Sequence, residues 1–130
     1  MPFMEWTDSL AVGIRSIDDQ HRRFLALVNR LHDAAQGACP PQELVDTLQA
    51  YADEHFHIEE GYMQAFGYPD LEAHAAEHER FCAAVRDFGQ ACAAGQGDSQ
   101  KILDYLKDWL ARHLRDMDLR LGRFLEDYLV

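Results

Sequence analysis

Two features that direct a protein into or across a membrane are missing from this sequence. Its N-terminus has no basic stretch followed by an apolar run, which predicts that there is no secretory signal. It has no run of about 18 apolar residues, so we expect no membrane insertion. Cysteine is also scarce: Cys39, Cys82 and Cys92 are odd in number and form no Cys-x-x-Cys pair. We therefore expect reduced thiols, without a disulfide framework or a thiolate metal site, in a cytoplasmic protein.

Positive charge is in short supply as well. Twelve Lys and Arg residues stand against 23 Asp and Glu residues, for a formal net charge of −11. Such a surface repels phosphate backbones, so nucleic-acid binding is disfavoured, and it argues weakly for a monomer. With 130 residues, of which 48% are hydrophobic, the chain has the size of a single globular domain. We expect residues 1–130 to form that one domain, without a separate signalling domain.

Four stretches of the sequence have helical periodicity, and Gly or Pro residues separate them. The predicted helices cover about residues 17–36, 42–66, 71–94 and 100–121. An arm over residues 1–15 precedes them. We expect Ser16 to cap the first helix, Gly37 to end it, and Gly122 to break the fourth. These features predict an all-α, up-down-up-down antiparallel four-helix bundle with an N-terminal extended arm.

Several histidines occupy positions where this periodicity requires core residues. In the third helix, His74 and His78 continue the spacing of three and four residues that leads on to Phe81 and Val85. The apolar stripes of the other helices contain further ionisable residues, namely His21, His55, Glu59, His113 and Asp118. The two remaining histidines, His32 and His57, lie off the stripes, and we expect them at the surface or its boundary.

Burying so many ionisable side chains without compensation would cost several kcal/mol for each ion. Antiparallel helices can bring these side chains to one level of the bundle, where a bound metal would use every lone pair. One position is ambiguous, because His113 and Asp118 are five residues apart, or about 140° around an ideal helix. Asp116, three residues from His113, is the simpler partner. A local widening of the fourth helix would favour Asp118 instead.

Two other metal patterns fit less well. His74-Ala-Ala-Glu77-His78 matches the inverted zinc-protease motif, in which Glu77 would be the general base. A single zinc ion needs only about four ligands, which leaves three candidates without a role. The Glu-x-x-His motif of ferritin-like di-iron proteins occurs only at Glu54 and His57, off the apolar stripe. The predicted site is therefore richer in nitrogen than those oxygen-activating sites.

Over nearly its whole length the sequence resembles the hemerythrin family, specifically the single-domain bacteriohemerythrins. Trp6 and the arm segment Val12-Gly13-Ile14 contribute to this resemblance. Its specific motifs are Ile17-Asp18-x-Gln20-His21, His55-Phe56-x-x-Glu59-Glu60-x-x-Met63, His74-x-x-x-His78 and Trp109-Leu110-x-x-His113-x-x-x-x-Asp118. Any one of these motifs would be weak support, but together they are highly specific.

The resemblance implies a non-haem di-iron centre that binds dioxygen. One iron would be held by His74, His78 and His113, and the other by His21 and His55. Glu59 and Asp118 would bridge both irons, beside an oxo or hydroxo bridge derived from solvent. One coordination position would then remain vacant on the two-histidine iron, where dioxygen would bind. The apolar walls that the resemblance implies for this pocket are Phe24, Phe56, Trp109, Leu110 and Leu114.

The expected function is reversible dioxygen binding for transport, storage or delivery, and not enzyme catalysis. An oxygen-consuming enzyme is one candidate recipient. The alternatives are a di-iron oxidase or peroxidase, a protein that senses oxygen or handles nitric oxide, and a metal-storage module. An enzyme would require a carboxylate-rich site with open positions on both ions, and a storage module would require exposed ligands.

Overall fold

The computed structural model of the chain describes residues 2–35 and 38–128, and this part contains helices but no strand. The α-helices are α1 (Arg15–Ala35), α2 (Gln42–Phe66), α3 (Leu71–Ala93), α4 (Ser99–His113) and α5 (Leu119–Leu125). A short 3-10 helix, Asp8–Leu10, lies in the N-terminal arm. A π-helical turn, Leu114–Asp118, joins α4 to α5, so that the three segments form the fourth rod of the bundle. The predicted all-α four-helix bundle is confirmed. No helix in the described ranges is both long and apolar enough to cross a bilayer.

The first helix begins earlier than predicted, and Ser16 lies inside it. The backbone N–H of Asp18 donates to the carbonyl of Ile14 at 2.8 Å, which starts the helix at Arg15. The prediction that Ser16 caps this helix is therefore wrong. The Asp18 carboxylate instead accepts hydrogen bonds from the N–H groups of Val12, at 2.8 Å, and Gly13, at 3.3 Å. This buried carboxylate ties the N-terminal arm to α1.

The predicted ends of the first two helices can be compared with the structure only in part. The expected terminator of the first helix, Gly37, and its expected last residue, Gln36, lie outside the described residues. The second helix ends at the left-handed Gly67, whose φ of 70° glycine adopts without strain.

The fourth rod does not break at Gly122 as predicted, because α5 continues to Leu125. Gly122 is instead the place where the arm crosses the rod. A Cβ atom at this residue would lie 2.8 Å from the Cβ of Val12, and closer still to the Val12 carbonyl oxygen. A glycine is therefore needed here for close approach of the arm and not for helix termination.

The core consists of two apolar clusters with a polar layer between them. The larger cluster includes Phe24, and the smaller one includes Ile17. Along α1, His21 lies between these two residues and is fully buried. The other three rods repeat this order, so the buried histidines and carboxylates form a layer across the bundle.

The structure contains a disulfide between Cys39 and Cys92, with Cα atoms 5.7 Å apart, which corrects the expectation of reduced thiols. It joins the connection between α1 and α2 to the last turn of α3. The two cysteines are separated by 53 residues in sequence and meet only when the helices pack. No spacing motif therefore indicates this pair. Cys82 is a free, buried thiol.

Candidate metal centre

All seven predicted ligand residues meet in the polar layer, and each is at most 4% exposed. Each of the four rods supplies at least one of them. They are His21 from α1, His55 and Glu59 from α2, His74 and His78 from α3, His113 from α4 and Asp118 from the π-helical turn.

The first half of the layer, here called the three-histidine group, consists of His74, His78 and His113. The Nε2 atom of His113 lies 3.2 Å from that of His74 and 3.1 Å from that of His78. Carboxylate oxygens adjoin these nitrogens: Glu59 Oε1 lies 3.1 Å from His78 Nε2, and Asp118 Oδ1 lies 2.8 Å from His74 Nε2. Three nitrogens and two oxygens therefore converge on one point.

The second half of the layer, the two-histidine group, consists of His21 and His55. Nε2 of His21 lies 3.2 Å from Glu59 Oε2 and 3.2 Å from Asp118 Oδ2. Nε2 of His55 lies 3.3 Å from the same Glu59 oxygen. This group has one nitrogen fewer than the other.

The two carboxylates divide their oxygens between the groups. Glu59 directs Oε1 towards the three-histidine group and Oε2 towards the two-histidine group. Asp118 does the same with Oδ1 and Oδ2. Such an arrangement can bridge two metal ions, one in each group.

The chemistry of this donor set fits metal ions. Two neutral imidazole nitrogens 3.1–3.2 Å apart cannot both point lone pairs at each other without repulsion. Nitrogens that bind one ion at right angles, with a metal–nitrogen distance of about 2.1 Å, would lie about 3.0 Å apart. Several buried atoms, including His55 Nε2, Glu59 Oε1 and Asp118 Oδ2, also have no hydrogen-bond partner among the described residues. Cations at the two groups would satisfy these atoms.

When no metal is bound, protons on the histidines offset part of the negative charge of the buried carboxylates. Burial alone lowers the pKa of His21, but hydrogen bonds to Asp118 and Glu59 outweigh this effect and raise it to about 10. The pKa of His78 is also raised, because its contacts with Glu59 outweigh burial. Burial would raise the pKa values of Glu59 and Asp118, but the surrounding histidines hold both well below their usual range. Both carboxylates are therefore ionised and attract cations into the layer.

The π-helical turn resolves the spacing of His113 and Asp118. A π turn has hydrogen bonds from residue i to i+5, so residues five apart come close to one line along the rod. The Oδ1 atom of Asp118 lies 3.2 Å from Nε2 of His113, whereas Asp116 is exposed to solvent. The hypothesis of a local widening of the fourth helix is confirmed, and Asp118 rather than Asp116 joins the layer.

Aromatic rings hold the histidine rings in place. Phe56 stacks on His78, with ring centroids 4.0 Å apart, and Trp109 stacks on His113 at 4.4 Å. Phe24 meets His55 edge-on at 5.8 Å. The five predicted pocket walls are all buried in the larger apolar cluster, namely Phe24, Phe56, Trp109, Leu110 and Leu114.

Three other predicted positions lie outside the metal centre. His57 is exposed, and His32 is half-buried against the ring of Phe3, as expected for surface and boundary residues. Glu77, the candidate protease base, is half-buried and accepts a hydrogen bond from Trp109 Nε1 at 3.3 Å. Glu77 therefore belongs to neither half of the layer.

Sequence reasoning assigned no role to two residues that contact the ligands from outside. Gln20 Oε1 lies 2.5 Å from His55 Nδ1, and Glu60 Oε2 lies 2.9 Å from His78 Nδ1. Both residues stand in the motifs that carry the family resemblance. Their positions next to ligand residues in those motifs were the one sequence feature that could have indicated these contacts.

Comparisons with known proteins agree on one family. Residues 12–125 match the sequence profile of the hemerythrin HHE cation-binding domain. A bacteriohemerythrin from Pseudomonas aeruginosa is 35% identical over 120 residues, which cover 91% of this chain and 78% of that protein. One from Methylococcus capsulatus is 32% identical over 126 residues, covering 94% and 96%. A crystal structure of wild-type hemerythrin superposes with a TM-score of 0.85 at 32% identity, covering 95% and 98% of the two chains.

Proposed function

Because this chain belongs to the hemerythrin family, we propose that it binds dioxygen reversibly at a non-haem centre of two iron ions. The three-histidine group holds one iron and the two-histidine group holds the other. Glu59 and Asp118 bridge the two ions, beside an oxo or hydroxo bridge derived from solvent. The protein then serves as an oxygen carrier, store or delivery protein.

The division of the carboxylate oxygens is the observation that carries this proposal. Each of two buried carboxylates offers one oxygen to each histidine group. A site for one ion would need only one such group, and a structural zinc site has about four ligands. Imidazole and carboxylate donors suit iron. The donor set therefore favours a pair of bridged ions.

The unequal histidine count determines where a ligand can enter. In the three-histidine group, three nitrogens, two carboxylate oxygens and the solvent bridge would supply six ligands to one iron. The two-histidine group has one nitrogen fewer, so one position is left for dioxygen. When bound, the two irons supply the electrons that hold dioxygen there. The chain itself fixes the ligands and closes the surroundings.

The buried walls support reversible binding over oxidation of a substrate. Phe24 and Leu110, at 0% and 1% exposure, and the stacked rings of Phe56 and Trp109 leave little room for water. A dry pocket limits the entry of protons that would convert bound dioxygen into a reduced product. Ferritin-like sites that activate oxygen also carry more carboxylates than this one. We therefore propose a carrier and not an enzyme.

An oxygenation cycle tests this function. The reduced, iron-loaded protein is exposed to dioxygen, deoxygenated and exposed again, while its absorption spectrum and iron content are measured. We expect two irons per chain, one dioxygen per iron pair, and a spectrum that returns over several cycles. Protein loaded with zinc is the control and should show no spectral response to dioxygen.

Two results would contradict the proposal. One is iron loading that saturates at a single ion per chain. The other is irreversible consumption of dioxygen on each exposure, which would indicate an oxidase or peroxidase. Turnover of nitric oxide or peroxide at rates above that of the free metal would also favour an enzyme.

The setting of the protein is a further part of the proposal. We propose a cytoplasmic monomer that passes dioxygen to an oxygen-consuming enzyme and does not bind nucleic acid. Cell fractionation against a cytoplasmic marker enzyme tests the location. Recovery of the protein outside the cytoplasmic fraction would contradict it. Sedimentation of the iron-loaded protein tests the monomer.

A further inference from the structure

The two histidine groups differ in the residue that accepts a hydrogen bond from a histidine Nδ1 atom on the side away from the metal layer. In every ligand histidine Nε2 faces the metal layer, so metal binding leaves the ring proton on Nδ1, which must then donate. Nδ1 of His21, His74 and His113 is buried and has no acceptor among the described residues. Nδ1 of His55 and His78 does have one. Among the described residues, each group therefore has one histidine whose Nδ1 has a hydrogen-bond acceptor.

The two acceptors differ in charge. His78, in the three-histidine group, meets the carboxylate of Glu60 at 2.9 Å. His55, in the two-histidine group, meets the neutral amide oxygen of Gln20 at 2.5 Å. A carboxylate draws the Nδ1 proton more strongly than an amide does, and it thereby increases the electron density that Nε2 offers to a metal. The Glu60 carboxylate therefore contacts a histidine of the group that already has more nitrogen ligands.

The Glu60 carboxylate is available for this role because no other cationic side chain among the described residues pairs with it. Its side chain is 32% exposed, and among the described residues His78 is its one ion-pair partner. It lines a surface cleft of about 270 Å³ whose other charged walls include Asp53 and Glu79. The cleft admits water, so the charge of Glu60 stays solvated on one side while it holds the imidazole on the other.

The ring of His78 is consequently fixed in two ways. Phe56 stacks on its face with an interplanar angle of 7°, which sets the plane of the ring. The hydrogen bond to Glu60 sets the rotation within that plane. Glu59, the preceding residue on α2, meets the same histidine from the metal side through Nε2, at 3.1 Å. Two consecutive glutamates thus hold opposite edges of one imidazole.

We propose that Glu60 is a positioning residue that makes the two metal positions electronically unequal. Its carboxylate orients His78 and strengthens it as a donor, so the ion in the three-histidine group favours the higher oxidation state more than its neighbour does. The inference rests on the proposed di-iron function. The two groups would then differ in how strongly their histidines donate to the metal, in addition to differing in the number of histidines.

Three variants separate charge from hydrogen bonding. Glu60→Gln keeps an acceptor but removes the charge, and Glu60→Ala removes both. Gln20→Glu places a carboxylate behind His55 and should reduce the inequality. Glu79→Gln is the matched control, because Glu79 lines the same cleft, is 73% exposed and pairs with Arg86 instead of a histidine.

Two measurements without dioxygen read the effect. Competition with a chelator gives the affinity for cobalt(II), and spectroelectrochemistry of the iron-loaded protein gives the midpoint potential. We expect Glu60→Ala to weaken cobalt(II) binding by about 10- to 100-fold. Glu60→Gln should recover most of that affinity while its midpoint potential stays raised. Glu79→Gln should change neither quantity.

An unchanged midpoint potential in Glu60→Gln would overturn the proposal, as would an equal shift in Glu79→Gln. Loss of cobalt(II) binding in Glu60→Gln equal to that in Glu60→Ala would also do so, because the hydrogen bond alone would then have no positioning effect. Reversible dioxygen binding is measured separately. Its failure would refute the proposed function without affecting the cobalt(II) result, and the reverse also holds.

Discussion

The three-histidine and two-histidine groups share two carboxylates but differ in how the bundle builds them. In the three-histidine group, α3 supplies His74 and His78 one turn apart, and α4 adds His113. In the two-histidine group, α1 and α2 supply one histidine each. Rings stacked at 4.0 and 4.4 Å and a carboxylate contact the histidines of the first group. An edge-on ring, a parallel ring at 6.3 Å and an amide contact His55 of the second group. In the proposed centre, the three-histidine group would supply more of the ligands to its metal ion, and the two-histidine group would leave a position for a small ligand.

The largest expected effect comes from removing a residue that both groups use. Asp118→Ala should abolish normal loading of two irons, because one oxygen of Asp118 serves each group. Asp116→Ala is the matched control, since this exposed carboxylate lies two residues away on the same turn. Iron per chain, measured after reconstitution and desalting, checks both variants. Greater iron loss in Asp116→Ala than in Asp118→Ala would reverse the assignment.

The pH dependence of stability should differ between the metal-free and metal-loaded proteins. The pKa of His21 is about 10 in the metal-free fold, against 6.5 for an unperturbed histidine. The native state therefore keeps a proton that the unfolded chain loses between these values. The free energy of unfolding of the metal-free protein should fall as the pH rises through that range.

The metal-loaded protein should behave in the opposite way. Metal binding needs neutral imidazoles, so acid competes with it and stability should fall at low pH. Urea unfolding of both forms at several pH values checks the two trends. Stability of the metal-free protein that rises between pH 6.5 and 10 would be inconsistent with histidinium ions compensating the buried carboxylates.

Displacing the arm, which is bonded to α1 just before the two-histidine group, should lower the stability of the fold. Gly122→Ala places a Cβ atom against Val12 of the arm. The N–H of Val12 donates to Asp18, three residues before His21. Overpacking of this kind costs about 1–3 kcal/mol of stability. Gly61→Ala is the control, because a Cβ there meets nothing within 4 Å. Urea unfolding should show a loss for Gly122→Ala alone.

The smallest effect is expected at Cys82, one turn beyond His78 on α3. Burial, with a further contribution from Asp53, raises the pKa of its thiol to about 12, so it stays protonated and is a poor metal ligand. Cys82→Ala should leave iron loading unchanged. In the native protein, Ellman's reagent should label Cys82 far more slowly than in urea. Fast native labelling would show that the thiol is accessible.

Periodicity predicted most of the fold and the site, because buried bundle positions recur every three or four residues. His74 and His78 fit that spacing, and so both could be placed on the core face from sequence. Asp118 also lay on an apolar stripe, but its pairing with His113 could not be predicted from regular periodicity, because the π-helical turn departs from an ideal helix. The family resemblance favoured Asp118 over Asp116 more strongly than helix geometry did.

The remaining errors arise from contacts between distant segments. The Cys39–Cys92 disulfide forms only after helices that are separate in sequence pack together. Gly122 was predicted to break the fourth helix because glycine often ends helices. Its actual role is to allow close approach of the arm, which comes from the other end of the chain. The hydrogen bond from His78 to Glu60 spans 18 residues and two helices. Helical periodicity alone does not identify such pairs.

Diffraction at the iron absorption edge is the most direct test of two unequal iron positions. Crystals of the reduced, iron-loaded protein would be measured before and after exposure to dioxygen. We expect two anomalous peaks, one in each histidine group, and new density after exposure only beside the ion held by His21 and His55. A single peak, or new density beside the ion held by His74, His78 and His113, would contradict the proposed centre.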